Sequence, residues 1–180
     1  MALTILLAMH GSPPNDFPPN EIAELFNLHA RLEHASGGPQ EALLERYTQL
    51  EAKMRAWPRT AENDPFYAGS LELAGHLSRY TGNEVILGFN EFCAPSLDEA
   101  LEQALETAPK KVVIITPMMT RGGEHSEVDI PAAIQCAQER HPETQIIYVW
   151  PFDAAQVAQF LASQIAQFDR QEVSHRARTV

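Results

Sequence analysis

Lys111-Val-Val-Ile-Ile-Thr-Pro117 is the stretch on which the fold turns. This β-branched, aliphatic run is too short for a helix and is closed by a proline, so it reads as a buried strand. Leu3-Thr-Ile-Leu-Leu-Ala-Met9, Glu84-Val-Ile-Leu-Gly-Phe-Asn90 and Gln145-Ile-Ile-Tyr-Val-Trp150 read the same way. Helical patterns separate them. Asn20 is placed as the cap of a helix whose stripe is Ile22, Leu25, Phe26, His29 and Leu32, broken at Gly37-Gly38-Pro39. Leu43, Tyr47, Leu50, Met54 and Trp57 mark a second helix ended by Pro58. A third opens at Asp64-Pro65, with Phe66, Leu73, Leu77 and Tyr80 facing inward, and stops at Thr81-Gly82-Asn83. Ser96-Leu-Asp-Glu99 is a capping box before Leu97, Leu101 and Leu105. A helix from about Asp129 carries Ile130, Ala133, Ile134 and Ala137, and Asp153 caps a last one with Val157, Phe160, Leu161, Ile165 and Phe168. Strands alternating with helices predict an α/β fold: a four-stranded parallel sheet flanked by helices, with right-handed crossovers. One domain spans residues 1–168, with a helical insertion over about 28–80 in a long first crossover. Residues 169–180 form a polar tail.

Composition narrows the function. The 180 residues include 13 Lys and Arg against 24 Asp and Glu, a net charge of -11, which argues against nucleic acid or an anionic membrane as partner. Cys93 and Cys136 are too few for a disulfide scaffold and read as small core hydrophobes. No apolar run approaches the ~20 residues needed to span a bilayer. Met1 to Met9 lacks a basic leader and reads as a core strand rather than a signal peptide, so a cytoplasmic location is expected.

Ligands of open parallel sheets gather beyond the C-terminal strand ends. The first strand ends at His10-Gly11-Ser12, the second at Asn90-Glu91 with Cys93 following, and the third runs through Met118-Met119-Thr120-Arg121-Gly122-Gly123-Glu124-His125. Two imidazoles and a carboxylate from three strand ends suit a divalent first-row metal with open positions, and also proton transfer near neutral pH. Taken singly, each has an ordinary structural explanation: His10 as a turn hydrogen bonder, Glu91 as a solvated loop carboxylate, His125 as part of a surface charge cluster. Their coincidence at strand ends sets them apart. His29 reads as a packed core histidine, and His34 and His76 as exposed. Other chemistries lack their signatures, with no G-x-S-x-G elbow, no glycine-rich phosphate loop, and no C-x-x-C or H-E-x-x-H pattern.

His10-Gly11-Ser12 after its strand, and the segment Pro117-Met-Met-Thr-Arg-Gly-Gly-Glu-His125-Ser-Glu-Val-Asp129-Ile130-Pro131, resemble the class II tetrapyrrole chelatases. The G-x-H-x-x-x-D-I-P pattern is most similar to the small sirohydrochlorin cobaltochelatases and ferrochelatases, as is Phe89-Asn-Glu91-Phe-Cys-Ala-Pro95-Ser96. The resemblance implies a chelatase half-module that pairs as a homodimer and inserts Co2+ or Fe2+, with Ni2+ admissible, into a tetrapyrrole without an organic cofactor. It implies His10 and His125 as metal-binding and proton-accepting residues, with Glu91 as their acidic companion. Ser12, Met118 and Arg121 are the expected contacts to the macrocycle. Two departures stand out. Pro13 replaces the arginine usual in the short enzymes, so His-Gly-Ser-Pro is closer in style to protoporphyrin ferrochelatases, and the first crossover is tens of residues longer. A non-catalytic carrier of metal or tetrapyrrole is the first alternative, and a metal-dependent hydrolase the second.

Overall fold

In the computed structural model, which describes residues 3–34 and 41–178, with side chains described as far as 168 apart from 33 and 34, four parallel strands form one sheet. β1 (Thr4–Met9), β2 (Glu84–Phe89), β3 (Lys111–Ile115) and β4 (Gln145–Tyr148) lie in the order β2-β1-β3-β4, which puts β1 between β2 and β3. The Gly37-Gly38-Pro39 break and the exposure expected of His34 lie outside the described residues.

The strands alternate their side chains between two faces. Leu6, Ala8, Val112 and Ile114 pack with Leu97, Ala100, Leu101, Ala104 and Leu105 of α4 (Leu97–Leu105) and with Ile130 and Ala137 of α5 (Ile130–Arg140). The capping box holds as expected: Ser96 Oγ accepts from the Glu99 N–H, and the Glu99 carboxylate accepts from the Ser96 N–H. On the other face, Leu7 and Met9 meet α3 (Pro65–Thr81) through Ala74, with Tyr67 and Leu77 beside it. Asp64 caps α3 by accepting from the Tyr67 N–H at 2.9 Å, and Gly82 closes it in the left-handed conformation. α1 (Pro19–His34) and α2 (Glu41–Arg55) pack on each other around Phe17, Leu25, Leu28, Leu50 and Met54, a core apart from the two sheet faces.

Several helix phases differ from the expectation. α1 begins at Pro19, so Asn20 lies inside it rather than capping it. It buries Leu25 and Leu28 against α2 and leaves Phe26 and His29 exposed, so His29 is no core histidine. α3 turns Ser70 and Ala74 inward while Phe66, Leu73 and Tyr80 stay exposed. Its small residues let the helix approach the sheet closely, and the Ser70 hydroxyl is satisfied by donating to the Phe66 carbonyl. Cys93 is buried as expected, whereas Cys136 is exposed on α5. The last helix, α6 (Ala154–Arg178), is capped by Asp153 and does not stop near Phe168, where the apolar spacing ends; its backbone stays helical to Arg178. Backbone hydrogen bonding needs no apolar stripe, which is why the sequence pattern cut it short. Among the described residues no helix is long and apolar enough to cross a membrane.

Replacing Ser96 with alanine should remove half of the α4 capping box and cost about 1 kcal/mol. In urea unfolding this would appear as a lower midpoint with an unchanged slope.

Candidate metal centre

The register of β1 and β2 continues past the strands. Asn90 N–H donates to the Met9 carbonyl at 2.9 Å, and Glu91 N–H donates to the His10 carbonyl at 2.9 Å. That ladder sets the Glu91 backbone directly beside His10. Gly11 makes the approach possible: a Cβ there would lie 1.9 Å from the Glu91 carbonyl oxygen, and its φ of +107° lies where L side chains rarely go.

His125 arrives from the other neighbour of β1. The segment after β3 loops out and returns in a wide helical turn, His125–Asp129, which joins α5 with the Ile130 N–H donating to the His125 carbonyl five residues back. The helix therefore starts one turn before the expected Asp129. Tyr148 of β4 supports this turn, its hydroxyl donating to the Ser126 carbonyl at 3.0 Å. Burial, with the nearby Glu127 charge adding, pushes the Tyr148 phenol up to about 12, so it remains a protonated donor.

One ligand atom each from His10, Glu91 and His125 falls within a 4.8 Å set. Glu91 Oε2 lies 3.8 Å from His10 Nδ1 and 3.7 Å from His125 Nε2. The two imidazoles meet edge to face, ring centroids 4.5 Å apart. His125 Nδ1 is 2.6 Å from Asp129 Oδ2, one helical turn on. That contact assigns a proton to Nδ1, donated to the carboxylate, and turns Nε2 toward Glu91. His10 Nδ1 donates to the Gly11 carbonyl at 3.0 Å, which orients the ring in the same way. The His125 side chain is 16% exposed and the His10 side chain 49%, so one imidazole forms the floor and the other the rim. Two neutral imidazoles and one carboxylate are ordinary ligands for late first-row divalent ions.

The expected macrocycle contacts have local partners of their own. Arg121 is exposed and donates from Nε to Glu127 Oε1 at 2.9 Å, which also accepts from the Gly122 N–H at 3.0 Å. Those two donors hold the Glu127 carboxyl below its ordinary range. Met118 packs partly buried against the core beneath α4 and α5. Ser12 turns its hydroxyl to the Pro13 carbonyl at 3.3 Å. Asp129 has the geometry of a site residue that sequence reading treated only as a helix start. The i, i+4 spacing from His125 was the available signal, hidden because the helix was begun too late. A small cleft also adjoins Glu91, walled by Leu25, Phe26, His29, Tyr47, Glu51 and Phe92.

A profile of the CbiX family matches residues 64–168, more than half of the chain. The chain belongs to the CbiX family. Glu91, His125 and Asp129 lie inside the matched region of this CbiX-family chain, while His10, α1 and α2 lie before it. A sirohydrochlorin ferrochelatase of Priestia megaterium is 30% identical over 64 residues, 36% of this chain and 24% of that one. A sirohydrochlorin cobaltochelatase of Saccharolobus islandicus is 41% identical over 61 residues, 34% of this chain and 46% of that one. The matched stretches thus span well under two thirds of these relatives. The solved structure of a CbiX protein from Marinobacter aquaeolei VT8 covers 94% of this chain and 98% of its own, at 15% identity and a TM-score of 0.50. That likeness speaks for the fold, and it agrees with the four-stranded parallel sheet and flanking helices expected from the sequence.

Asp129→Asn should keep the fold but weaken the orientation of His125. Co2+ affinity is expected to fall about 10–100-fold, measured by titration calorimetry against unsubstituted protein.

Proposed function

We propose that this chain is a metal chelatase that inserts Co2+ or Fe2+ into a tetrapyrrole such as sirohydrochlorin. The observation carrying this reading is the convergence of His10, Glu91 and His125 within 4.8 Å, beyond the ends of three adjacent strands. The names of the relatives supply the substrate class.

The chemistry follows from the donor set. Insertion exchanges one divalent ion for two pyrrole N–H protons, so the protein must hold the ion weakly enough to release it and must accept protons. Glu91 and the inward-facing Nε2 of His125 hold the incoming ion. His10, at the rim with its own Nε2 lone pair, takes a proton as ring nitrogens replace the protein ligands. The remaining proton leaves to water or passes through the same imidazole. Asp129 accepts from His125 Nδ1 and keeps that imidazole in one tautomer through the exchange.

A second copy completes the cleft in this reading. α6 leaves Phe160, Leu161, Ile165 and Phe168 half or more exposed, apart from Phe160 at 48%. Leu73 and Tyr80 of α3 and Val149 after β4 add exposed apolar surface. An apolar helix stripe left open in one copy is the kind of surface that a homodimer buries. Light scattering should give twice the 20.0 kDa chain mass. Paired Leu161→Asp and Ile165→Asp substitutions should shift it to the monomer.

The deciding experiment is an anaerobic absorbance assay of sirohydrochlorin with Co2+ or Fe2+. Metallation should exceed the spontaneous rate and fall to that rate in His125→Ala, with the fold retained by circular dichroism. Full activity in His125→Ala would refute the scheme. Binding of metal or tetrapyrrole without acceleration would instead identify a carrier.

A further inference from the structure

The α2 helix lies outside the region matched by the family profile, yet its C-terminal end grips the loop that carries Glu91. Arg55 donates from Nη1 to the Cys93 carbonyl at 2.7 Å and from Nη2 to the Asn90 carbonyl at 3.1 Å. Arg59, four residues on, donates from Nη2 to the Phe92 carbonyl at 2.6 Å. The Glu91 carbonyl accepts from the Cys93 N–H at 2.6 Å. Every carbonyl from Asn90 to Cys93 is therefore satisfied, three of the four by two guanidiniums.

The loop needs such partners. Phe92 sits at φ +59°, a conformation unusual for a bulky side chain that persists only where the surroundings impose it. The bend sends Phe92 toward α1 and α2, where its ring meets Phe26. A planar guanidinium can serve two carbonyls at once in fixed directions, which a lysine ammonium does not reproduce.

Arg59 also ties in the other loop. Its Nη1 donates to the Ser12 carbonyl at 2.7 Å, two residues after His10, and to the Asp64 carboxylate. Both side chains are buried, and Arg59 Nε has no partner there. A buried ion pair that leaves a donor unpaired is a poor device for stability alone. It makes more sense as a fixed post against which the loops after β1 and β2 are set.

We propose that Arg55 and Arg59 are positioning residues of the metal centre, holding the Ser12 and Asn90–Cys93 backbone so that His10 and Glu91 face His125 before an ion arrives. This rests on the metal-holding reading of His10, Glu91 and His125. A loop ordered beforehand takes nothing from the ion's binding energy. The α1–α2 pair then acts as a buttress for the centre rather than a bystander in a long crossover.

Co2+ titration of the full chain, followed by calorimetry and by the visible d–d absorption, tests this in Arg55→Met, Arg55→Lys, Glu91→Gln and the Arg55→Met/Glu91→Gln double variant. Arg55 is the residue to change because Arg59 is buried with Asp64 and its loss endangers folding; circular dichroism and melting check each variant. Arg55→Met and Arg55→Lys should each bind Co2+ about tenfold or more weakly. Their spectra should move toward that of Glu91→Gln. In the Glu91→Gln background, Arg55→Met should change Co2+ affinity no further, because the group it positions is already lost. Wild-type affinity and spectrum in both Arg55 variants would overturn the proposal, as would an equal loss with and without Glu91. Failure of the unsubstituted protein to bind Co2+ would overturn the metal reading itself, and this proposal with it.

Discussion

Two backbone hydrogen bonds beyond the ends of β1 and β2 hold the rest of the centre in place. Asn90 N–H to Met9 carbonyl and Glu91 N–H to His10 carbonyl extend the parallel ladder after both chains have left the strands. Parallel pairing is slanted and evenly spaced, so its continuation puts residues of matched register side by side. Met9 pairs with Phe89, so Gly11 comes level with Glu91, and the Glu91 N–H bond to the His10 carbonyl ties the two residues together. Gly11 permits the contact because a side chain there would strike the Glu91 carbonyl. The Asn90 side chain adds a third bond, Nδ2 to the Met9 carbonyl at 2.8 Å.

The third member of the trio is delivered by different means. His125 stands far along the chain from β3, on a turn that closes through an i to i+5 hydrogen bond. Such wide turns rotate the residues they carry relative to a regular helix and recur at functional sites. Here Asp129 is close enough to fix the imidazole, and Tyr148 pins the turn from the edge strand. A rigid scaffold thus holds each of the three residues by its backbone and orients the histidines by a second hydrogen bond. Preorganisation of that sort suits the proposed chelatase role, since little rearrangement is needed when an ion leaves.

Acidity pervades this surface. Many of the acidic side chains behind the net charge of -11 are already engaged. Glu24 meets Arg46, Glu21 meets Lys53, Glu102 meets Arg140 and Glu127 meets Arg121, most of them at exposed sites where each pair contributes little to stability. The buried pair Arg59–Asp64 differs in kind, because its hydrogen bonds reach backbone on both ligand-bearing loops.

The strands were legible because each is a short β-branched run between turn signals, and Ser96, Asp64 and Asp153 announced their helices by capping chemistry that is local in sequence. His10, Glu91 and His125 could be singled out one by one, as groups that follow strands. Helix phase was harder to read. α3 presents Ser70 and Ala74 to the sheet, α1 presents Leu25 and Leu28 to α2, and neither choice follows from apolar spacing alone, because the partner surface selects the face. Asp129 and the two arginines were hidden for the same reason: their partners lie a helical turn or tens of residues away. By itself the sequence determined the alternation of strands and helices and which chemical groups leave the strand ends, since both are set by local propensity and polarity. Only the tertiary structure decided that β1 lies between β2 and β3, and hence that three separate groups become one centre, because neighbourhood in a parallel sheet is a matter of long-range pairing that no local pattern encodes.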